Sequence, residues 1–399
     1  MAATSYFIVS LWLLRSVLSH VSTRTTYPSL DASLLIWANG WVAHAVTHFE
    51  NPFYSSYVFA PHGLNLLANP CSVGLAVLSV PLTLLVGPLA TFNVQILLMP
   101  VATGMSMYFA IRPIVTSPRG RFVAGLLWWF NPLVLCAMNW GWTNVGYLVA
   151  PPLVASYLYD TFVTRQRTPR QNGRRLAVVT CAQLTLFSEL AASMVIVAVA
   201  GVILAMAVMA RRSYDPREAW QRLRQLVIGA TPMAAVVAVP IAGYALYGPA
   251  PLAPWVWPRD VITGSSLTTL SKVVTPATSP MYTFVPHSIS MSPTYLGWLG
   301  LLGSVVLLVL LRGRALTWWL GGLGFAGLWL ALGSHAFVHI WSVMWRAPVI
   351  HNMMPIRFVL WTWFALSVLA ALACALPGRR GLVGLAGTGL IVGSWAAAS

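Results

Sequence analysis

Residues Arg121–Arg165 read RFVAGLLWWFNPLVLCAMNWGWTNVGYLVAPPLVASYLYDTFVTR, an apolar stretch closed at each end by arginine. A helix that crosses a bilayer needs about 20 predominantly apolar residues. Two such lengths fit here, at about 121–138 and 144–163, with a tight turn at Asn139-Trp140-Gly141-Trp142. Both ends belong to basic runs, and basic loops gather on the cytoplasmic side of a membrane. An even number of crossings must therefore separate them, and two satisfies that.

The same constraint extends along the chain. Most of the 23 basic residues fall in Arg112–Arg121, Arg165–Arg175, Arg211–Arg224, Arg312–Arg314 and Arg379–Arg380. Residues 176–210 then form a short helical hairpin with its apex near Phe187-Ser188-Glu189-Leu190. Further spans are expected at 90–111, 226–246, 293–311, 316–333, 358–376 and 381–398, with outer loops at 247–292 and 334–357. Met1–Ser22 lacks a basic start and a small-residue cleavage site, so it reads as a retained first span. The run 71–86 contains Pro81 and is bounded by Pro70 and Gly87-Pro88; parity makes it a juxtamembrane helix within a first outer loop, 23–89. The expected fold is all-α: a polytopic transmembrane helix bundle of about eleven spans, one integral membrane domain over 1–399, in a cell membrane.

Composition supports this class. Apolar residues make up 58% and charged residues 8%, against about 45–50% and about 25% in soluble domains, and mean hydropathy is +0.76. A soluble enzyme and a secreted disulfide scaffold are excluded. The net charge of +16 is spread in short runs between apolar stretches, unlike the single patch of a nucleic-acid binder, so no nucleic-acid partner is expected. Cys71, Cys136, Cys181 and Cys374 lie in apolar surroundings without metal-site spacing and read as packing residues.

Parity places all eight histidines at the outer face, together with Asp31, Glu50, Glu189 and Asp260. Residues 31–49 set Leu34, Trp37, Trp41, His44 and His48 at helical spacing, which suggests a helix along the bilayer surface. Asp31 stands at its start, either as an N-cap or as a carboxylate kept ionised for use as a base. The loop NPFYSSYVFAPHGLNLLANP is too polar for a span and too aromatic for a disordered linker. Glu189 is an acid in an apolar hairpin: either a buried group bonded to Ser188 or a neighbouring helix, or one that faces a cavity. Arg357, after His351 in HNMMPIRF, either snorkels to headgroups or binds a lipid-linked phosphate. Arg346, His335 and His339 are further candidates; the two histidines lack a third metal ligand. Nucleotide-binding and zincin motifs are absent from the sequence.

The order of these features resembles a known family. It comprises Asp31 and then W-x3-W-x2-H, the NPF…APHGLNL loop, GPLATFN, YFAIRP, GLLWWFNP, the FSEL apex and a late PIRF. Together they resemble the actinobacterial-type integral membrane proteins grouped with the GT-C glycosyltransferases, over most of 25–200 and near 350–376. The resemblance implies transfer of a sugar, with inversion, from a polyprenyl-phosphate carrier to a glycan or lipid acceptor on the outer leaflet. It implies Asp31 as the general base. Arg357 with Arg346 would stabilise the departing phosphate, and Glu189, His44, His48 and His351 would contact substrate. No cofactor is expected, and a divalent metal is left open: Leu30 precedes Asp31 and Ser188 precedes Glu189 where relatives often carry a second acid. The rival classes are a lipid or glycan transporter, and a non-catalytic partner in envelope assembly.

Overall fold

The computed structural model describes all residues except 27–28, 69–70, 212–214, 250–269, 275–291, 337, 339, 345–352 and 399. The described chain is helical. Its one strand pair is β1 (Tyr54–Ser55) against β2 (Leu64–Asn65), antiparallel, with Tyr54 opposite Asn65. The longer helices are α1 (Ala2–Leu13), α2 (Leu30–Thr47), α3 (Val73–Leu78), α4 (Val80–Val86), α5 (Pro88–Ala110), α6 (Pro118–Trp129), α7 (Pro132–Trp140) and α8 (Ala150–Tyr159). They continue with α9 (Pro169–Leu186), α10 (Ser188–Arg211), α11 (Pro216–Met233), α12 (Val239–Tyr247), α13 (Gly297–Leu310), α14 (Ala315–Ala331), α15 (Val359–Cys374) and α16 (Gly378–Ala398). Five of these start on proline, whose missing N–H costs nothing in a first turn, and four of the five, α6, α7, α9 and α11, share one device. In each case the preceding side chain caps the helix: Ser117, Asn131, Thr168 and Asp215 accept from the amides of Gly120, Val134, Gln171 and Arg217.

The span count is corrected. Among the described residues three helices are long and apolar enough to cross a membrane: Pro88–Ala110, Arg217–Tyr247 and Pro355–Cys374. A fourth is gained if α6 and α7, bent by 47°, count as one. Several of the other expected spans are divided or shortened by breaks in the chain. Asn131 turns extended to cap α7, which divides 121–138. Pro151 and Pro152 are tolerated only in a first turn, so 144–163 turns helical for good only at Ala150. The 176–210 hairpin breaks at Phe187, which is extended at φ −163°, at the expected apex. The run 71–86 forms two helices, α3 and α4, too short to span. The helix predicted over 31–49 is present as α2, and one side of it is packed: Ala38, Trp41, Val42 and Ala45 are buried with Leu64, Leu66, Cys71, Val73 and Ala76. A Trp ring carries more apolar area than almost any other side chain, and here it is spent on the core.

The chain forms two compact units, Met1–Ser33 with Asn93–Tyr147 and Trp255–Ser399, and Leu34–Phe92 with Leu148–Pro254. At the centre of the first lies α15, every residue of which is buried. A helix apolar all round belongs in such a position. Neighbouring helices come close to it through glycine: a Cβ on Gly120 of α6 would meet the Ala371 carbonyl at 2.7 Å, and one on Gly327 of α14 the Phe358 carbonyl at 2.9 Å. Small residues allow this in apolar packing, where backbone proximity replaces the hydrophobic drive. The pairing runs α14 antiparallel to α15, and α13 antiparallel to α16 with Gly303 beside Gly387. Arg119, Arg121, Arg312, Arg314, Arg379 and Arg380 consequently stand at one end of this unit.

In the second unit α9 and α11 run side by side. Gly173 faces the Leu226 carbonyl and Gly229 the Arg170 carbonyl, each with no room for a Cβ. The Arg170 guanidinium donates to Gln225, and Arg165 pairs with Glu218 at 3.0 Å. The Arg165–Arg175 run and the Arg217–Arg224 stretch therefore share one end of this unit. That end is built on Asp160, whose carboxylate is fully buried. It accepts from Thr164, from the Gln166 amide at 2.8 Å, from Asn172 at 3.0 Å and from Arg167 at 3.4 Å. Asn172 also donates to Thr161 at 3.1 Å, so one carboxylate ties the α8–α9 turn together. Asp160→Ala would leave the Asn172 amide buried without its acceptor and should destabilise the protein by about 1–3 kcal/mol. Thermal unfolding in detergent checks this, with Asp215→Ala, an exposed cap, expected to cost only about 1 kcal/mol.

All four cysteines are buried and free. Burial pushes the Cys71 thiol up to about 12, as suits a packing residue.

Candidate functional site

Asp31 lies in the first unit, in the first turn of α2. It is not the cap. Ser29 caps the helix: its Oγ accepts from the Ala32 amide at 2.9 Å and donates to the Trp140 carbonyl at 2.9 Å, and its carbonyl accepts from the Ser33 amide. The Asp31 carboxylate is exposed and free of the capping duty, and it sits where the helix field favours negative charge.

Arg357 belongs to the same unit. A 3-10 turn, Pro355–Phe358, holds it at the mouth of α15, half-buried, with Nη2 at 3.7 Å from Met354 Sδ. The opposite end of α15 packs on Gly120, so Arg357 stands away from the arginine runs. The Asp31 end of the unit is fixed in the same way. Ser29 is bonded to Trp140 at the far end of α6–α7 from Arg119, and Asn93 Nδ2 donates to the Val21 and Arg24 carbonyls at 2.7 Å. Asp31 and Arg357 thus occupy the end of this unit opposite its arginine runs.

His335 is exposed on a 3-10 turn of the first unit, Gly333–His335, and the other described candidates belong to the second unit. About 20 Å of helix rise separates His44 from Asp31, so these two are not one cluster. The His44 and His48 rings stack at 4.0 Å, His48 Nδ1 lies 2.9 Å from the His44 carbonyl, and His44 Nε2 is 3.8 Å from Glu50. Trp37 and Trp41 stack at 6.2 Å just before them, and Tyr57 covers Trp41 at 5.4 Å. The result is an aromatic row along α2 that ends in two imidazoles and a carboxylate. The polar, aromatic loop beyond it is folded. Asn51 and Asn65 each turn the chain through their own side-chain oxygen and donate to Tyr244, at 2.7 Å and 3.0 Å.

Glu189 is half-buried in the first turn of α10. It lies just past Thr185, which abuts Gly74 of α3, at the end of the second unit away from its arginine runs. Arg346, His351 and His339 lie outside the described residues, as do Asp260 and most of the loop 247–292. Among the described residues no three His, Cys, Asp or Glu side chains are placed to hold a metal ion.

Gln183 escaped the sequence reading. It is buried on α9, and neither atom of its amide has a hydrogen-bond partner among the described residues. Nothing in the spacing of α9 marks it, because an amide in an apolar helix has no periodic signature. A buried amide left unpaired costs about 1–3 kcal/mol, and methionine has a similar volume. Gln183→Met should therefore raise the thermal midpoint, and a fall would reveal a partner for the amide in the folded protein.

The chain matches no known family model, no curated protein and no solved structure.

Proposed function

We propose that the protein is a multi-pass membrane glycosyltransferase, with inversion, drawing sugar from a polyprenyl-phosphate donor and delivering it to a glycan or lipid acceptor at the outer face of a cell membrane. The observation that carries this reading is the segregation of charge inside each unit. Arginine runs collect at one end, while Asp31 and Arg357 in one unit, and Glu189 in the other, stand at the opposite end. Such segregation suits chemistry performed at one membrane face, and the resemblance to the GT-C enzymes names the chemistry.

In the proposed reaction the acceptor oxygen attacks the anomeric carbon as the bond from that carbon to the phosphate oxygen breaks. Asp31 takes the acceptor's proton. The electron pair leaves with the polyprenyl phosphate, and Arg357, with Arg346, offsets the charge that grows there. One displacement inverts the anomeric centre. The resemblance further assigns Glu189, His44, His48 and His351 to sugar or acceptor contacts.

The test is sugar release from a panel of polyprenyl-phosphate sugars by purified protein reconstituted with the donor on one side only. Turnover of one donor is expected. Well-folded protein that turns over none would overturn the assignment and favour transport or assembly.

A further inference from the structure

We infer that the start of α11 is a binding site for an acidic phospholipid, in which Arg217 and Arg224 hold the headgroup phosphate and Trp220 seats between them. The three residues lie three and four apart, so they share one helical face. All are exposed, Trp220 at 60%. A tryptophan exposed to this degree suits the membrane–water boundary, where the residue is enriched.

The same face continues through Val227, Ile228 and Thr231, all exposed, and past a π-helical turn at Ala234–Ala238 the exposed side chains, Val236 and Val239, are again apolar. These belong to Arg217–Tyr247, one of the three helices apolar enough to cross a membrane and the least buried of them. The stripe therefore changes from cationic to apolar between Arg224 and Val227, within one turn, and this marks the depth at which headgroups give way to acyl chains.

Charge accounting selects an anionic occupant. Nearby, Arg165 and Arg222 both close on Glu218, at 3.0 Å and 2.8 Å, and Arg167 is held by Asp160. Asp215 caps α11 through the Arg217 backbone amide. Among the described residues neither Arg217 nor Arg224 forms an ion pair, and both point from a helix whose next exposed residues are hydrocarbon. A guanidinium in that setting is matched by a phosphodiester, which it binds through paired N–H donors.

The inference rests on the membrane reading of α11–α12 and not on glycosyl transfer. Its test is native mass spectrometry of the full chain in detergent with equimolar phosphatidylglycerol and phosphatidylcholine, wild type beside Arg217→Gln/Arg224→Gln and beside Arg174→Gln/Arg175→Gln. Wild type should retain phosphatidylglycerol preferentially. The first double variant should lose about 10- to 30-fold of that preference, and the second should keep most of it. Equal preference in wild type and the Arg217/Arg224 variant overturns the site, as does an equal loss in both double variants, which would indicate diffuse charge attraction. Protein released from membranes by alkaline carbonate would instead overturn the membrane reading itself.

Discussion

Asp31→Asn is expected to lower the turnover of sugar transfer by about 10²–10⁴-fold, the usual worth of a positioned general base. The structure makes this a clean test because Ser29, not Asp31, caps α2. Removing the carboxylate forfeits only its interaction with the helix field, about 0.3–1 kcal/mol for an exposed charge. The fold should therefore survive the substitution, and lost activity would report chemistry. Ser29→Ala supplies the converse: it removes the cap and the bond to Trp140, should cost about 1 kcal/mol of stability, and should leave the proton-accepting group in place. Full transfer activity in Asp31→Asn, or an equal loss of activity in both variants, would remove Asp31 from the role of base.

Gly173→Leu should be among the most damaging single changes to the fold. The position faces backbone, the Leu226 carbonyl, and Gly229 faces the Arg170 carbonyl in return. Neither obstacle is a flexible side chain that can swing away, so α9 and α11 must separate. Separation also strains the Arg170–Gln225 and Arg165–Glu218 contacts that join their ends. A loss of more than about 4 kcal/mol is expected, in the range reserved for core overpacking and broken networks. The control is Gly201→Leu on α10, the same substitution where nothing lies within 4 Å of a new Cβ. Comparing the yield of monodisperse protein and the thermal midpoint decides the matter, and equal behaviour of the two variants would refute the packing argument.

Much of the fold was legible because a few residues act locally. The arginine runs state which helix ends belong together, and within each unit the structure honours that grouping. The break at Phe187 and the turn at Gly141, in left-handed conformation at φ 72°, fell where they were expected. Three things were not legible, each for a physical reason. Asn131 reads as one polar residue in a span, yet its side chain finds the Val134 amide and ends one helix to begin another. Helix α2 carries tryptophans at a spacing that suits a membrane surface, but burial against the loop at Leu64 and Leu66 depends on partners distant in sequence. Asp31 and Ser29 are both good caps, and only the position of Trp140 settles which one is used. Of the candidate site, the placing of Asp31 and Arg357 away from the arginine runs of their unit agrees with the sequence reading, while the pairing of His44 with Glu50 and the stacking on His48 required the fold.

The central place of α15 also sets an order of assembly. Helix α6 and helix α14 each turn a glycine face toward a partner that is synthesised only when the ribosome reaches Val359. At about 5–20 residues per second, α6 waits on the order of 10–50 s for it. During that interval the emerging helices of the first unit must be shielded by the insertion machinery or by one another. A chain arrested before Val359 would leave those faces exposed to lipid with no helix to receive them, and the unit would close only as the last helices arrive.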